Sequence, residues 1–266
     1  MLHMLTPPKI HDEISVFSPE NLLREARRQK SLPNKSVPEI CLLDPDGDIV
    51  RFLVSTNQAS KDPSWACYHT DLYTFEYDGF QFGVVGCAVG SSFAVLVAEE
   101  MFASNCQLLV SITSAGQITA TRTPPYFILI DKALRDEGTS YHYLPPSDYS
   151  NINEGLLTRL TNSLNTSSIP ITIGATWTTD APFRETESAI NHSRSLGILA
   201  VEMEASALYA FAQAKSKPVI CLAHVTNQMA SIEGDFEKGI ANGSQDALQL
   251  LAAIANIWHN EIKETK

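Results

Sequence analysis

Two glutamates separated by one methionine, Glu202-Met203-Glu204, interrupt a part of the chain that is otherwise apolar. The apolar run 198–201 precedes them and predicts a buried strand, and an apolar helix follows. Because Glu204 falls on the helix face that packs inward, its carboxylate should be paired or functional. A carboxylate at the end of a strand can accept two hydrogen bonds from a diol, which favours ribose hydroxyls as the ligand. The alternative is that both acids only cap the helix.

Two turns of small residues form the next candidates. Gly90-Ser91-Ser92 opens a helix, and a turn of this kind presents free main-chain N–H groups to an anion such as phosphate. Turns of the same composition also occur where two elements only pack tightly together. Gly90-Ser91-Ser92 is not a Walker loop, because no Gly-Lys-Ser/Thr follows it. Ser114-Ala115-Gly116 comes directly after a buried strand and is the second such turn.

The segment 134–146, LRDEGTSYHYLPP, places Arg135 and His142 among four acidic or hydroxyl side chains and two tyrosines. It lies between two apolar segments. It is either a solvated loop or part of a binding site, and its aromatic residues favour the second interpretation.

Other kinds of chemistry find no support in the residue pattern. The chain has no GxSxG nucleophile elbow and no HExxH zinc motif, and His142 and His224 lack metal-ligand spacing. Its five cysteines are odd in number and widely spaced, which predicts neither a disulfide framework nor a metal site. We therefore expect no metal and no cofactor.

The net charge of −11 argues against nucleic-acid and anionic-membrane partners, both of which attract basic surfaces. The N-terminal residues lack the pattern of a signal peptide, and no apolar run approaches the roughly 20 residues of a membrane span. These observations predict a cytoplasmic protein.

The elements that must position these candidates alternate along the chain. Apolar and β-branched runs predict strands at 39–43, 81–90, 107–113, 126–134, 171–178, 198–203 and 218–226, and helical patterns predict helices at 91–104, 153–164, 184–197, 204–216 and 244–263. Residues 1–36 form a peripheral segment with one helix, which begins at Ser18-Pro19, and 37–266 form a single α/β domain. Continuous apolar strands that alternate with helices predict a mainly parallel sheet covered on both faces. The Glu202, Gly90 and Ser114 segments all lie where strands end, and ligands bind there in such sheets.

These motifs, in this order, resemble the nucleoside phosphorylase superfamily of uridine phosphorylases and purine nucleoside phosphorylases. The most specific match is VEMEASALYAFA (201–212), and GCAVGSSFAVLVAEEM (86–101) is similar to the family's phosphate turn and following helix. RDEGTSYHYLPPSDY (135–149) and GATWTTDAPF (174–183) resemble segments of the uridine phosphorylases. The resemblance implies a three-layer α/β/α fold with a mixed, barrel-like central sheet. It also implies a pentosyltransferase that cleaves nucleosides with phosphate and assembles as a homo-oligomer, a dimer or a hexamer.

The resemblance also assigns roles to residues. Glu204 and Asn227 would be catalytic, and Met203, Glu204 and Glu202 would bind the ribose, with Glu202 at the pocket edge. The base pocket would contain Phe183, Thr178 and Gln228, and the phosphate would contact Gly90, Ser91, Ser114 and Arg135. Asn stands at 227, as in uridine phosphorylases, where purine enzymes carry Asp. This difference favours a pyrimidine nucleoside and a uridine phosphorylase-like member.

The chain departs from the family at the phosphate site. Gly47 and Ser111 stand at two positions where the family has arginines. Arg51, Arg135 or a residue of another subunit are candidates to replace them. A nucleoside hydrolase on the same fold and a non-catalytic nucleoside-binding protein are therefore alternative hypotheses.

Overall fold

The structure of this chain is a computed structural model that describes residues 9–164, 169–229 and 233–262. Residues 1–8 of the predicted peripheral segment, and position 263 of the predicted last helix, lie outside the described residues. Within the described part, no helix is both long and apolar enough to cross a bilayer.

Ten strands and seven α-helices follow one another along the described chain. The strands are β1 (Ile40–Asp44), β2 (Ala59–Lys61), β3 (Tyr73–Tyr77), β4 (Phe80–Gly86), β5 (Leu108–Gln117), β6 (Tyr126–Asp136), β7 (Tyr149–Asn151), β8 (Ile171–Thr179), β9 (Ala200–Glu202) and β10 (Val219–Asn227). The helices are α1 (Pro19–Lys30), α2 (Asp48–Ser55), α3 (Ser91–Ala103), α4 (Glu154–Leu164), α5 (Glu187–Ser195), α6 (Ala205–Lys215) and α7 (Ser244–Ile257).

The strands form one sheet in which part of the order closes into a ring. The path runs β10-β6-β8-β9-β5-β1-β4-β3-β2, and β10 also pairs with β5. Strands β5, β10, β6, β8 and β9 therefore enclose a barrel-like core. The predicted α/β class with a mixed, barrel-like sheet is confirmed. The periodicity argument predicted a mainly parallel sheet, whereas five strand pairings are parallel and five are antiparallel, among the latter β9 with β5 and β10 with β6.

The helices pack in two groups. Helix α3 contacts α1 and α6, whereas α7 contacts α2 and α4. Helix α1 begins as predicted, with the Ser18 hydroxyl accepting from the Asn21 N–H, and it buries Leu23 and Ala26 against Ala66. The strands at the centre of the sheet are fully buried, which explains their continuous apolar sequence.

Several local predictions differ from the structure. Strand β5 does not end at position 113, as predicted, but continues to Gln117, because Ser114 and Gly116 pair with β10. Gly90 is the N-cap residue of α3, and Ser91 is the first residue of the helix. The sequence-based account missed α2, β2, β3 and β7, all of which are short elements.

Candidate active site

Glu202 ends β9 as a fully engaged buried carboxylate. Its Oε1 accepts the hydroxyls of Thr176, at 3.1 Å, and Thr178, and its Oε2 accepts the main-chain N–H groups of Glu204 and Ala205, each at 2.7 Å. Its side chain thus caps the start of helix α6, whose N-cap residue is Glu204. The prediction that Glu202 lies at the pocket edge and binds ribose finds no support here, because all its acceptor positions face the protein. For Glu202 alone, the capping alternative describes the geometry.

Glu204 differs from Glu202, although only one residue separates them. It is 1% exposed and precedes α6. Its Oε1 accepts the N–H of Gly90 at 2.7 Å, while its Oε2 is buried without a hydrogen-bond partner. Burial raises the pKa of Glu204 to about 8, the negative charge of Glu202 adds to the rise, and the Gly90 N–H and the Thr113 side chain oppose it. A buried carboxyl oxygen without a partner is costly unless a ligand completes it.

The Gly90 turn and the Glu202–Glu204 segment meet directly. Besides the bond from the Gly90 N–H to Glu204, the Ser91 hydroxyl donates to the main-chain oxygen of Met203 at 2.8 Å. Gly90 has a φ of 88°, a conformation that glycine adopts without strain. The structure thus brings together four predicted site residues from two distant parts of the sequence: Gly90 and Ser91 from one, Met203 and Glu204 from the other. It also shows that the hydroxyl of Ser91 is already used inside the protein.

Thr178 was predicted to line the base pocket, but its side chain is fully buried behind Glu202. Its hydroxyl donates to Glu202 and accepts the N–H of Ser206 at 2.9 Å. The Ser206 hydroxyl in turn donates to Glu137 at 2.9 Å. Thr178 therefore belongs to a polar chain that links strand β8 and the loop after β6 to the start of α6.

Ser114, which was predicted to contact phosphate, is hydrogen-bonded to an acidic residue. The N–H and the hydroxyl of Ser114 both donate to the Asp46 carboxylate, each at 2.9 Å. Asp46 belongs to the turn after β1, next to Gly47, where the family's first arginine is expected. Ser111, at the second arginine position, is buried with an unpartnered hydroxyl. Carboxylate oxygens therefore occupy donors that an anion would use.

A small cavity of about 20 Å³ lies next to Asp46 and Ser114. A cavity of this size holds about one water molecule. Its walls include Asp44 and His224. Burial raises the pKa of Asp44 to about 7, and the charges of Asp46 and Asp48 add to the rise. Burial lowers the pKa of His224 to about 4, so its ring, which stacks on Phe127, is neutral at neutral pH.

The arginines considered for the phosphate are engaged elsewhere. Arg135 donates to Ser140 and Ser147 and to the main-chain oxygens of Leu144 and Pro145. The phosphate assignment of Arg135 finds no support here, because its buried guanidinium holds the loop after β6. Arg51 is bonded to Asp48 and to the main-chain oxygen of Asp46.

The residues predicted around the base are only partly assembled. Asn227 is buried at the end of β10, where its Oδ1 accepts the Met229 N–H at 2.9 Å and its Nδ2 donates to Thr226 at 3.1 Å. Gln228 is exposed, and Phe183 lies 98% exposed on a 3₁₀ turn after β8. If Phe183 forms an edge of the base pocket, a bound base or a second subunit would have to cover its exposed ring.

Sequence reasoning missed Asp46, Glu137 and Ser206. Asp46 lies in the turn after β1. It belongs to the site only because it accepts hydrogen bonds from Ser114, 68 positions away in the sequence. The signal available in advance was the acidic run Asp44, Asp46 and Asp48 at the carboxyl end of a buried strand.

The larger cavities of the described residues lie away from Glu204. One of about 500 Å³ is lined by the segment 10–20, by the end of α3 and by the end of α6. Its size alone would make it a ligand-site candidate, but the buried unpartnered carboxyl and the turn at Gly90 are not part of it.

Comparison with known proteins agrees with the predicted family. The sequence model of the phosphorylase superfamily matches residues 39–256. A crystal structure of uridine phosphorylase from Vibrio fischeri ES114, complexed with 6-hydroxy-1-naphthoic acid, superposes with a TM-score of 0.68 at 18% identity. That match covers 84% of this chain and 91% of the other chain, and it shows the fold.

Two relatives match at low identity. The guanosine phosphorylase of Halorubrum lacusprofundi is 23% identical over 139 residues, which span 52% of this chain and 58% of the relative. The DeoD-type purine nucleoside phosphorylase of Bacillus velezensis is 26% identical over 168 residues, which span 60% and 70% of the two chains. Nucleoside phosphorylases are pentosyltransferases, the enzyme class predicted from the sequence. The match of the superfamily model to most of the chain identifies this protein as a member of the phosphorylase superfamily.

Proposed function

We propose that this protein cleaves the N-glycosidic bond of a nucleoside and transfers the ribose to phosphate, which releases the free base and ribose 1-phosphate. The observation that carries the proposal is the buried, unpartnered Oε2 of Glu204, which lies between the Gly90 turn and Met203. A pentose is the ligand that this arrangement suits, since its hydroxyls supply the donors that the carboxyl lacks. Membership of the phosphorylase superfamily supports the same reaction.

The charges around Glu204 suit the chemistry of such a cleavage. As the bond between C1′ and the base breaks, positive charge develops on the pentose. The carboxylates of Glu202 and Asp46 are among the groups that act on Glu204, and both would stabilise that charge in a buried site. Glu204 would hold the hydroxyls and so fix the pentose for attack at C1′. No cofactor takes part in this scheme.

We propose a pyrimidine nucleoside, with uridine as the first candidate. Asn227, at the carboxyl end of β10, is the residue that favours this choice. Its amide is bonded to Thr226 and to Met229, so its orientation is fixed before a base arrives. The two relatives found by sequence, a guanosine phosphorylase and a purine nucleoside phosphorylase, carry purine names, so purine nucleosides belong in the same assay.

The test is an incubation of the purified protein with uridine, cytidine, guanosine and inosine, with and without phosphate. Free base and ribose 1-phosphate are quantified by chromatography. Base release that requires phosphate, with ribose 1-phosphate as co-product, supports the proposal. Binding without any base release would contradict it and would leave a nucleoside-binding protein.

Hydrolysis is a second candidate, and the Asp46–Ser114 pair favours it. The N–H and the hydroxyl of Ser114 would be donors for phosphate, but both are bonded to the Asp46 carboxylate. The adjacent cavity of about 20 Å³ suits a water molecule rather than a phosphate ion. Equal rates of base release with and without phosphate, with free ribose as product, would establish this second candidate.

A further inference from the structure

We propose that Glu202 holds a proton on Glu204 in the empty site, and that the cis-diol of a ribonucleoside displaces this proton to the solvent when it binds. The inference rests on the proposed function, because it concerns how the same site recognises the pentose. It predicts that the preference for ribonucleosides over 2′-deoxyribonucleosides depends on pH.

Hydrogen bonds favour the ionised form of Glu202. Four donors surround its two oxygens, and two of them are main-chain N–H groups at the start of α6. Burial raises the pKa of Glu202, and all four of these hydrogen bonds lower it. Hydrogen bonds from N–H groups and the positive end of a helix dipole both favour the ionised form of a carboxyl.

Glu204 has far weaker support for a negative charge. One main-chain N–H reaches its Oε1, and its Oε2 has no hydrogen-bond partner. Besides that N–H, the side chain of Thr113 is the group that lowers its pKa. Three titratable groups interact electrostatically with Glu204: Glu202 from β9, Asp46 from the turn after β1 and Cys221 from β10. None of these is a cation. No ion pair to either glutamate occurs among the described residues.

Two neighbouring buried carboxyls without a cation share the cost of ionisation unequally. The carboxyl that accepts more hydrogen bonds ionises, and its negative charge opposes ionisation of the other. Burial and the charge of Glu202 raise the pKa of Glu204 to about 8, in agreement with this hydrogen-bond geometry.

The protonation state decides which pentose fits. A carboxylate can accept both hydroxyls of a 2′,3′-diol, whereas a carboxylic acid keeps one oxygen as a donor. Ribose therefore binds better to the ionised Glu204 and expels its proton. A 2′-deoxyribose offers only the 3′-hydroxyl, so it gains less from that ionisation.

The first arm of the test needs no ligand. Infrared difference spectra are recorded as a function of pH. The carboxyl band of Glu204 is identified as the one that is absent from the spectrum of Glu204→Gln. We expect this band to titrate near pH 8 in the native chain and about 1 to 3 pH units lower in Glu202→Gln. The side-chain amide that Glu202→Gln introduces can keep the local bonds, since its oxygen accepts the main-chain N–H groups and its NH2 reaches the threonine hydroxyls. An unchanged midpoint in Glu202→Gln would overturn the proposal.

Thr176→Val is the matched control. It is isosteric and removes one hydrogen bond of Glu202 but not its charge. We expect the Glu204 band to keep its midpoint in this variant within about half a pH unit, because the charge of Glu202 persists. A shift as large as that in Glu202→Gln would show that packing rather than charge sets the protonation of Glu204, and would overturn the proposal.

The second arm measures the ratio of kcat/KM for uridine to that for 2′-deoxyuridine from pH 5.5 to 9.5, at fixed phosphate. The ratio cancels the ionisation of phosphate itself. We expect it to rise by up to about tenfold per pH unit and to level off near pH 8, and to level off earlier in Glu202→Gln. Turnover with a ratio independent of pH would overturn the inference. An absence of turnover with every nucleoside would instead count against the proposed function, while the infrared midpoints still decide on the proton.

Discussion

Glu204 combines features that stability alone would not produce. Its carboxyl is buried, one of its oxygens lacks a partner, and a second carboxylate lies two residues away. Each of these features costs folding free energy, and such costs concentrate at functional sites. The neighbouring Glu202 has the same side chain and a comparable burial, yet four donors satisfy it. This difference in hydrogen bonding indicates a structural role for Glu202 and a ligand-binding role for Glu204.

Replacing Glu204 by Gln should stabilise the fold at neutral and alkaline pH. The pKa of Glu204 is about 8 in the folded chain and about 4.5 when unfolded, so the folded form retains a proton that the unfolded form loses between these values. The free energy of unfolding of the native chain therefore falls as pH rises through this window. Glu204→Gln escapes that loss, which we expect to be on the order of a few kcal/mol at pH 8. Urea unfolding from pH 5 to pH 9 measures the difference between the two chains. A difference that does not grow with pH would contradict the pKa assignment.

At the scale of elements, the start of α6 is where four parts of the chain meet. Strand β9 supplies Glu202, strand β8 supplies Thr178, the loop after β6 reaches Ser206 through Glu137, and the Gly90 turn bonds Glu204. Buried polar networks of this kind hold side chains in one geometry when all their members are satisfied. The loop after β6 therefore acts on the site by holding α6, rather than by contributing Arg135 to a ligand.

Arg135→Lys tests that role of the loop. A lysine keeps the charge but cannot make the four bonds to Ser140, Leu144, Pro145 and Ser147. We expect a loss of stability of about 2 to 4 kcal/mol, because buried acceptors lose their donors. The KM for phosphate should stay within about threefold of the native value, since the effect is on the fold. Arg184→Lys, at an exposed position, is the control. An unchanged melting temperature with a sharply raised phosphate KM would instead restore Arg135 as a phosphate ligand.

Asp46→Asn tests the turn that follows β1. The substitution removes a negative charge from the donors of Ser114 without changing the size of the side chain. If phosphate is the acceptor, we expect its KM to fall by about tenfold, because repulsion between two anions is removed. If water is the acceptor, phosphate should have no effect, and the rate should drop because the carboxylate next to the water-sized cavity is lost. Steady-state rates at several phosphate concentrations distinguish the two.

At the scale of the whole molecule, the closed ring β5-β10-β6-β8-β9 brings distant segments to one place. Ser114 on β5, Asn227 on β10, Thr178 on β8 and Glu202 on β9 all come from strands of this ring. The ring is a property of pairing between strands that are far apart in the sequence, such as β5 with β10. A change that breaks this pairing should therefore affect every part of the site at once.

The alternation of apolar strands and helices was sufficient to predict the α/β class and most element positions. The ring was implied only by the family resemblance, because sequence periodicity does not report which strands pair. Glu204, Met203 and Gly90 lie together in the structure, and their positions shortly after two apolar strands were the signal in the sequence. The roles of Glu202, Thr178 and Asp46 could not be predicted, because they depend on partners 26, 24 and 68 positions away in the chain. Side-chain bonds of that range leave no pattern in a single sequence.

The predicted homo-oligomer is a further expectation at this scale. Phe183 lies 98% exposed, so its ring is available for contact with a second subunit. We expect light scattering to give the mass of a dimer or a hexamer at micromolar concentration. Phe183→Ser should raise the KM for the nucleoside if a partner presses this residue onto the base. A fully active monomer would contradict the expectation.

The most direct test of the central claim is release of base from nucleosides by the native chain and by Glu204→Gln. The account predicts that the native chain releases base from at least one nucleoside, and that Glu204→Gln, although folded, is slower by a factor of about 100 or more. Glu187→Gln, at an exposed position of α5, should retain the native rate. A folded Glu204→Gln protein that releases base at the native rate would contradict the assignment of Glu204 to the pentose.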